Sequence, residues 1–172
     1  EPIIVVGWYL GAGSVAATGY VYMGDVSEAD LAGPHNGYDV GSLVNHADVA
    51  LSDMRGIAGW GGTEFRACLG AAQGIGHSAW RSVLASGQAL KTHRHNNAVE
   101  YYLVVAGAGR AGVGDEVGDL SVGSCVHVPA GTAHWFESNG DEPLAVIGLH
   151  EGAEDLEAGG FEALGEIPAA AE

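Results

Sequence analysis

Short runs of apolar residues in the middle of the chain are interrupted by polar or turn-forming residues, a pattern typical of β-strands. EYYLVVA and VHVPAGTAHWF show this pattern, and the polar segment KTHRHNN has the spacing of a strand followed by a turn. Helical periodicity is scarce before the acidic end of the sequence. The pattern predicts an all-β domain of short strands, and the 29 glycines favour it because tight turns require their backbone freedom.

Strand geometry predicts a cluster of polar side chains on two hairpins. His93 and His95 are two residues apart, so on a strand both leave the same face. Asn96 and the residue after it suit a turn, and the returning strand would bring Glu100 beside the histidines. His134 follows the Pro-Ala-Gly turn of the second hairpin. The glycine-rich stretch 107–114 is predicted to be a bend between strands.

Three imidazoles and one carboxylate suit a divalent first-row transition metal. Iron, manganese, nickel, cobalt, copper and zinc all accept this set. Four protein ligands leave positions open for water, substrate or dioxygen if the metal is five- or six-coordinate. An open position distinguishes a catalytic metal site from a purely structural one.

The two hairpins carry motifs that resemble those of the cupin superfamily. The first motif corresponds to Gly87, His93, His95, Glu100 and Gly107, and the second to Gly123, Pro129, Gly131 and His134. The closing asparagine of the second motif, Asn139, is displaced by one position. The resemblance implies a single double-stranded β-helix, or jelly-roll, barrel with one metal per chain. It assigns the ligand role to His93, His95, Glu100 and His134.

The sequence divides into three predicted parts. Residues 1–57 are an N-terminal extension with two strands, IIVVGWYL and ATGYVYMG, followed by an irregular connection. Residues 58–155 form the barrel, and residues 156–172 are an acidic tail with short helical turns. Because cupin subunits commonly dimerise through their sheets, the resemblance makes the extension a candidate dimer element, and we expect a homodimer.

The charge balance restricts the kinds of partner that the protein can bind. The chain has 22 acidic residues against six basic ones and a net charge of -16, which argues against binding nucleic acid or an anionic membrane. The segment 2–24 is uncharged, but its glycines and the lack of a basic flank argue against a membrane span. Neither Cys68 nor Cys125 belongs to a CxxC pair, and Cys125 is expected to be a buried thiol. A reduced, cytoplasmic protein fits best.

Strand parity predicts which side chains line the pocket. If Glu100 faces inward, Tyr102 and Val104 also face inward. If His93 faces inward, Lys91 does so too. Lys91 is a candidate to hold a carboxylate or enolate oxygen, or else a lysine at the barrel rim. Tyr102 is a candidate hydrogen-bond donor to a bound oxygen, or else a core residue.

Three functional hypotheses follow from these features. The first is an iron-dependent dioxygenase acting on a small chelating organic substrate, with Fe(II) as the favoured metal. The second is a redox-neutral cyclase, isomerase or lyase in which His127 or Tyr102 moves a proton. The third is a non-catalytic small-molecule-binding cupin, since one fold serves many functions.

Overall fold

The computed structural model describes residues 46–52 and 63–168, which belong to one unit, Ser42–Glu172. The predicted N-terminal strands and their role in a dimer lie outside the described residues. Two 3-10 turns occur at His46–Asp48 and Ala71–Gln73. The strands are β1 Glu64–Leu69, β2 Ser78–Leu84, β3 Ala89–His95, β4 Val99–Ala106, β5 Gly109–Val113, β6 Glu116–Leu120, β7 Cys125–Val128, β8 His134–Ser138, β9 Leu144–Glu151 and β10 Phe161–Gly165.

Two five-stranded antiparallel sheets build the barrel. One has the strand order β1-β2-β9-β4-β7 and the other β10-β3-β8-β5-β6. The sheets face each other across an apolar core, as the contact between the rings of Tyr102 and Phe136 shows, with centroids 5.2 Å apart. The prediction of an all-β jelly-roll barrel is confirmed. In the described part of the chain, no helix is long and apolar enough to span a membrane.

The inward faces of the sheets are arranged in rows that run across the strands. In the first sheet, one row reads Ser78, His150, Glu100 and Val128, and the next reads Trp80, Gly148, Tyr102 and Val126. In the second sheet, one row reads Ala163, His93, His134 and Val113. The remaining rows of both sheets are mostly apolar, with Leu84, Val104, Phe136, Leu144 and Val146 almost completely buried. Polar chemistry is therefore concentrated in one layer of the barrel interior.

The strand β5 corrects one prediction from the sequence. The stretch 107–114 was expected to be a bend, but Gly109–Val113 is a strand between β6 and β8. Only the glycines that flank it, Gly107 and Gly114, have the positive φ of turns, at 74° and 59°. Gly112 instead makes room for the indole of Trp135 on the neighbouring strand, which a Cβ would overlap. A glycine-rich run thus marks close cross-strand packing here, not only turns.

The predicted acidic tail is also different from expectation. Helical turns were predicted after residue 155, but Phe161–Gly165 forms β10, which pairs with β3. Its ion pair between Glu162 and Arg94 and the backbone bonds from Asn96 and Asn97 to Gly160 and Gly159 anchor it. This part of the predicted tail is therefore a strand of the barrel.

The cysteines are free thiols, and Cys125 is exposed. The expected burial of Cys125 is wrong because its side chain shares the outward face of β7 with His127, while Val126 and Val128 face the interior. Cys68 is half-buried, and burial raises the pKa of its thiol.

Replacing Gly148 by alanine is expected to destabilise the fold. The new Cβ would overlap the buried indole of Trp80, and overpacking of a core costs about 1–3 kcal/mol. Chemical denaturation of the metal-free protein measures the loss. Gly118→Ala is the control, because a Cβ at Gly118 meets no atom within 4 Å. Equal stabilities of the two variants would show that the Trp80–Gly148 contact is not tightly packed.

Candidate metal centre

Two hairpins and their cross-strand neighbours bring four side chains together inside the barrel. His93 and His95 lie on β3, Glu100 on β4 and His134 on β8. Each offers one ligand atom, and these atoms all lie within 4.8 Å of one another. All four residues are buried, with 0–3% of their surface exposed. The structure therefore brings together the four residues that the sequence singled out.

A bulge in β3 sets the direction of the two histidines. His93 pairs with His134 and Leu90 pairs with Phe136, so three residues of β3 span two of β8. The extra residue is a β-bulge, and it reverses the alternation between these pairs. Leu90 and His93 consequently both face the interior. Lys91 therefore faces outward.

Backbone carbonyl groups orient two of the imidazoles. His93 Nδ1 donates to the carbonyl oxygen of Lys91 at 2.7 Å, and His134 Nδ1 donates to that of Thr132 at 3.0 Å. Because a carbonyl only accepts, Nδ1 carries a hydrogen, and in the neutral imidazole this leaves the lone pair on Nε2. Such outer hydrogen bonds fix the tautomer of histidines that bind metals.

Glu100 supplies the negative charge of the cluster. Its Oε2 lies 2.7 Å from Nε2 of His134 and 3.6 Å from Nε2 of His95. Burial by itself raises the pKa of Glu100, but His134 and the other imidazoles lower it by more. The net pKa is therefore below its usual range. For His134, burial opposes protonation, yet the Glu100 carboxylate raises the net pKa. The carboxylate is therefore ionised and available as a ligand.

The other two imidazoles are neutral at neutral pH. Burial, followed by the charge of His134, lowers the pKa of His93 to about 4. Burial also lowers the pKa of His95 to about 3, against the opposing effect of Glu100. Neutral imidazole is the form that binds a metal.

The arrangement of the donor atoms suits a shared metal ion better than hydrogen bonds among the four side chains. Among the described residues, Glu100 Oε2 and His134 Nε2 are buried without a partner in hydrogen-bond geometry, although they lie close together. Atoms that converge on a common point have this arrangement, and buried polar atoms otherwise find partners. Three imidazole nitrogens and one carboxylate oxygen suit one divalent first-row ion. The cluster is suitable for one metal ion.

Two of the three predicted catalytic side chains lie away from the cluster. Lys91 is partly exposed and forms an ion pair with Glu166, so the predicted inward orientation is wrong because of the bulge. His127 is exposed and stacks on Tyr101 on the outer face of its sheet, with ring centroids 5.1 Å apart. Neither side chain belongs to the cluster.

Tyr102 is placed as parity predicted. It faces the interior two residues after Glu100 and is 1% exposed. Among the described residues its hydroxyl has no hydrogen-bond partner. Burial, with a contribution from the Glu100 charge, raises the pKa of Tyr102, so the hydroxyl stays protonated. It is a buried donor adjoining the cluster.

Two further residues adjoin the ligands and were not expected there. His150, on β9, is 2% exposed and lies beside His95, with ring centroids 4.5 Å apart, while Ser78 Oγ is 3.3 Å from its Nδ1. Phe161, on β10, packs against His93 and His95 at 5.4 Å and 5.8 Å. The alternation of side chains along the strand LAVIGLHE could have predicted that His150 faces inward. The tail offered no comparable signal for Phe161.

The comparisons with known proteins agree with this arrangement. The sequence model of the cupin domain family matches residues 80–150, which contain all four cluster residues. With the jelly-roll fold and both motifs, this match identifies residues 80–150 as a cupin domain.

A curated relative matches the same region. The chain is 30% identical over 73 residues to mannose-1-phosphate guanylyltransferase ManC of Salmonella typhimurium. The match covers 42% of this chain and 15% of the relative, so the chain spans a small part of that protein's length.

Solved structures support the fold. A predicted oxalate decarboxylase from Thermotoga maritima has a TM-score of 0.56 at 21% identity, over 63% of this chain and 97% of that one. The polyketide cyclase RemF from Streptomyces resistomycificus has a TM-score of 0.57 at 16% identity, over 64% of this chain and 79% of that one. These identities are too low to transfer an activity.

Replacing His93 or His134 by alanine is expected to abolish stoichiometric metal binding while the barrel stays folded, because its core does not depend on the ion as a zinc finger does. Metal analysis after equilibrium dialysis and far-ultraviolet circular dichroism check the two parts. His127→Ala is the control, since this histidine is exposed on the outer face. One metal per chain in the His93 and His134 variants would refute the ligand assignment.

Phe161→Ala is expected to weaken metal binding by about tenfold, because the groups around metal ligands hold them in position. The ring packs on two of the ligand imidazoles. Leu164→Ala on the same strand is the control, as this side chain is 42% exposed. Competition with a metal-binding dye measures both affinities, and equal affinities would mean that β10 does not support the site.

Proposed function

We propose that this chain is a metal-dependent enzyme that acts on a small organic substrate, with iron-dependent dioxygenation as its reaction. The observation that carries the proposal is the buried convergence of three imidazoles and one carboxylate within 4.8 Å. A structural site needs no further position, whereas a five- or six-coordinate ion held by these four ligands keeps room for a substrate.

His93, His95, Glu100 and His134 would hold the metal. When bound, the ion would supply Lewis acidity toward a chelating oxygen and, as iron, a site for dioxygen. The surrounding apolar layer, with Val113 and Phe136, would keep bulk water from the reacting atoms. Exclusion of water strengthens electrostatic interactions inside a site.

Tyr102 is the residue we propose to contact the substrate. Its hydroxyl stays protonated and has no partner among the described residues, so it can donate to an oxygen that gains negative charge. The ring is held by Phe136 at 5.2 Å, which fixes the direction of the hydroxyl. Pre-organised donors of this kind stabilise charge without rearrangement.

A redox-neutral reaction on a carbonyl substrate is the second candidate. The protonated Tyr102 hydroxyl favours it, because a donor beside the cluster could stabilise the charge that develops on a polarised carbonyl oxygen. In that case Tyr102 would donate to the polarised carbonyl oxygen. His127 is not placed to move a proton at the cluster. The homodimer and the cytoplasmic location stay predictions.

Metal analysis followed by an oxygen-uptake screen tests the proposal. We expect about one iron per chain after anaerobic reconstitution and substrate-dependent oxygen uptake with a diketone, catechol or thiol. His134→Ala is the inactive control, and Leu164→Ala, at an exposed position of β10, is the active one. Turnover of the same substrates without oxygen would favour the redox-neutral reaction. Tight ligand retention without turnover would favour a binding protein.

Tyr102→Phe is expected to leave metal affinity unchanged and to lower kcat by about 10- to 100-fold, the effect of losing a hydrogen bond to a charged group. The metal-free variant should be at least as stable as the wild-type protein, because the hydroxyl lost is buried without a partner. Steady-state kinetics and denaturation measure these effects. A clear loss of stability with unchanged kcat would instead assign the hydroxyl a structural role.

A further inference from the structure

A cavity of about 430 Å³ lies between the edge strands of the two sheets. It is lined by residues of β5, β6 and β7 and of the short loop before β7. These edges are neighbours in the chain, since β6 and β7 are joined directly, and they are the outer strands of the two sheets. The volume is in the range of small-molecule sites.

The inner wall of the cavity adjoins the ligand row. Val113 lines it and pairs across the sheet with His134, and Val126 lines it and pairs with Tyr102. Side chains of directly opposed residues project to the same face of a sheet about 5 Å apart. The cavity therefore ends against two valines that adjoin the layer holding the cluster and the buried hydroxyl, while the ligands themselves do not line it.

Glu116 extends the ligand row into the cavity. Its cross-strand partner is Val113, whose other partner is His134, so the three share one inward face. Gly118 lies on the same face, and a Cβ there would meet no atom within 4 Å, which leaves open space beside the carboxylate. Glu116 lines the cavity and is exposed to solvent.

The cavity contains no lysine or arginine among the described residues that line it. Its apolar lining is Ala111, Val113, Val117, Leu120 and Val126, and its charged lining is Glu116 and Asp119. Arg110 lies next to Ala111 but is paired with Glu137 at 2.8 Å. The polar lining is Ser124, Cys125 and His127, and the ring of His127 stacks on Tyr101. The ion's charge is partly neutralised by Glu100.

From this arrangement we propose that the cavity is the substrate chamber and that it selects substrates with an uncharged, apolar body, with Glu116 as the residue that rejects anions. The inference rests on the proposed function, since the substrate's chelating oxygens would have to pass Val113 and Val126 to reach the ion. A second anionic group on the substrate would enter the chamber beside two carboxylates and without a lysine or arginine to pair with it. Burying an unpaired charge is costly.

Two probes that differ only in that second group test the proposal. The protein loaded with one Co²⁺ per chain is titrated without oxygen with 4-ethylcatechol and with 3,4-dihydroxybenzoate, and the visible bands of Co²⁺ report binding. We expect the uncharged catechol to bind about tenfold or more tightly. Equal or tighter binding of the carboxylate would overturn the inference.

Reversing the charge of Glu116 tests whether this residue causes the preference for uncharged substrates. Glu116→Lys is expected to reduce the preference for the uncharged catechol by about threefold or more, because it adds a cation to the chamber. Asp115→Lys is the matched control, since the adjacent aspartate does not line the cavity, and it should keep the wild-type preference. Equal effects of the two variants, or no effect of Glu116→Lys, would overturn the role of Glu116.

The metal content separates this inference from the function on which it rests. If the wild-type chain does not take up one Co²⁺, the proposed function fails and the inference fails with it. If it takes up Co²⁺ normally and binds both probes equally, only the inference fails.

Discussion

The burial of the Glu100 carboxylate is the constraint on which the rest of the site depends. An ionised group that is 2% exposed needs compensation from its surroundings, because it has lost its hydration. The compensation comes from imidazoles, with His134 Nε2 2.7 Å away. Burial raises the pKa of Tyr102, and the same carboxylate adds to this effect, so a donor stays protonated beside the ligands. One charge thus contributes to the pKa values of several buried neighbours.

The interior separates this chemistry from the part of the barrel that holds it together. The ligand row and the row of Ser78, His150 and Glu100 occupy one layer, while Leu84, Leu144 and Phe136 fill the others with apolar contacts. Because these contacts do not involve the ligands, the fold can keep its core while the cluster varies. This separation is consistent with one superfamily serving different reactions.

The sequence was most informative where the spacing is fixed by a motif and least informative where tertiary contacts decide. The ligands were found because His93, His95 and Glu100 follow strand and hairpin periodicity. The direction of Lys91 was missed because a bulge adds a residue to β3, and no local signal marks it. β10 was missed because its stability comes from pairing with β3, not from its own propensity. β5 was missed because glycine serves close packing there as well as turns.

The place of β10 in the chain has a consequence for the order in which the centre is assembled. Residues 93–134 contain every ligand, yet the ring that packs on two of them belongs to residue 161, which is synthesised later. During synthesis, a nascent chain therefore exposes a complete donor set before the strand that covers one side of it exists. Phe161 can cover this side of the cluster only once Phe161–Gly165 has docked along β3.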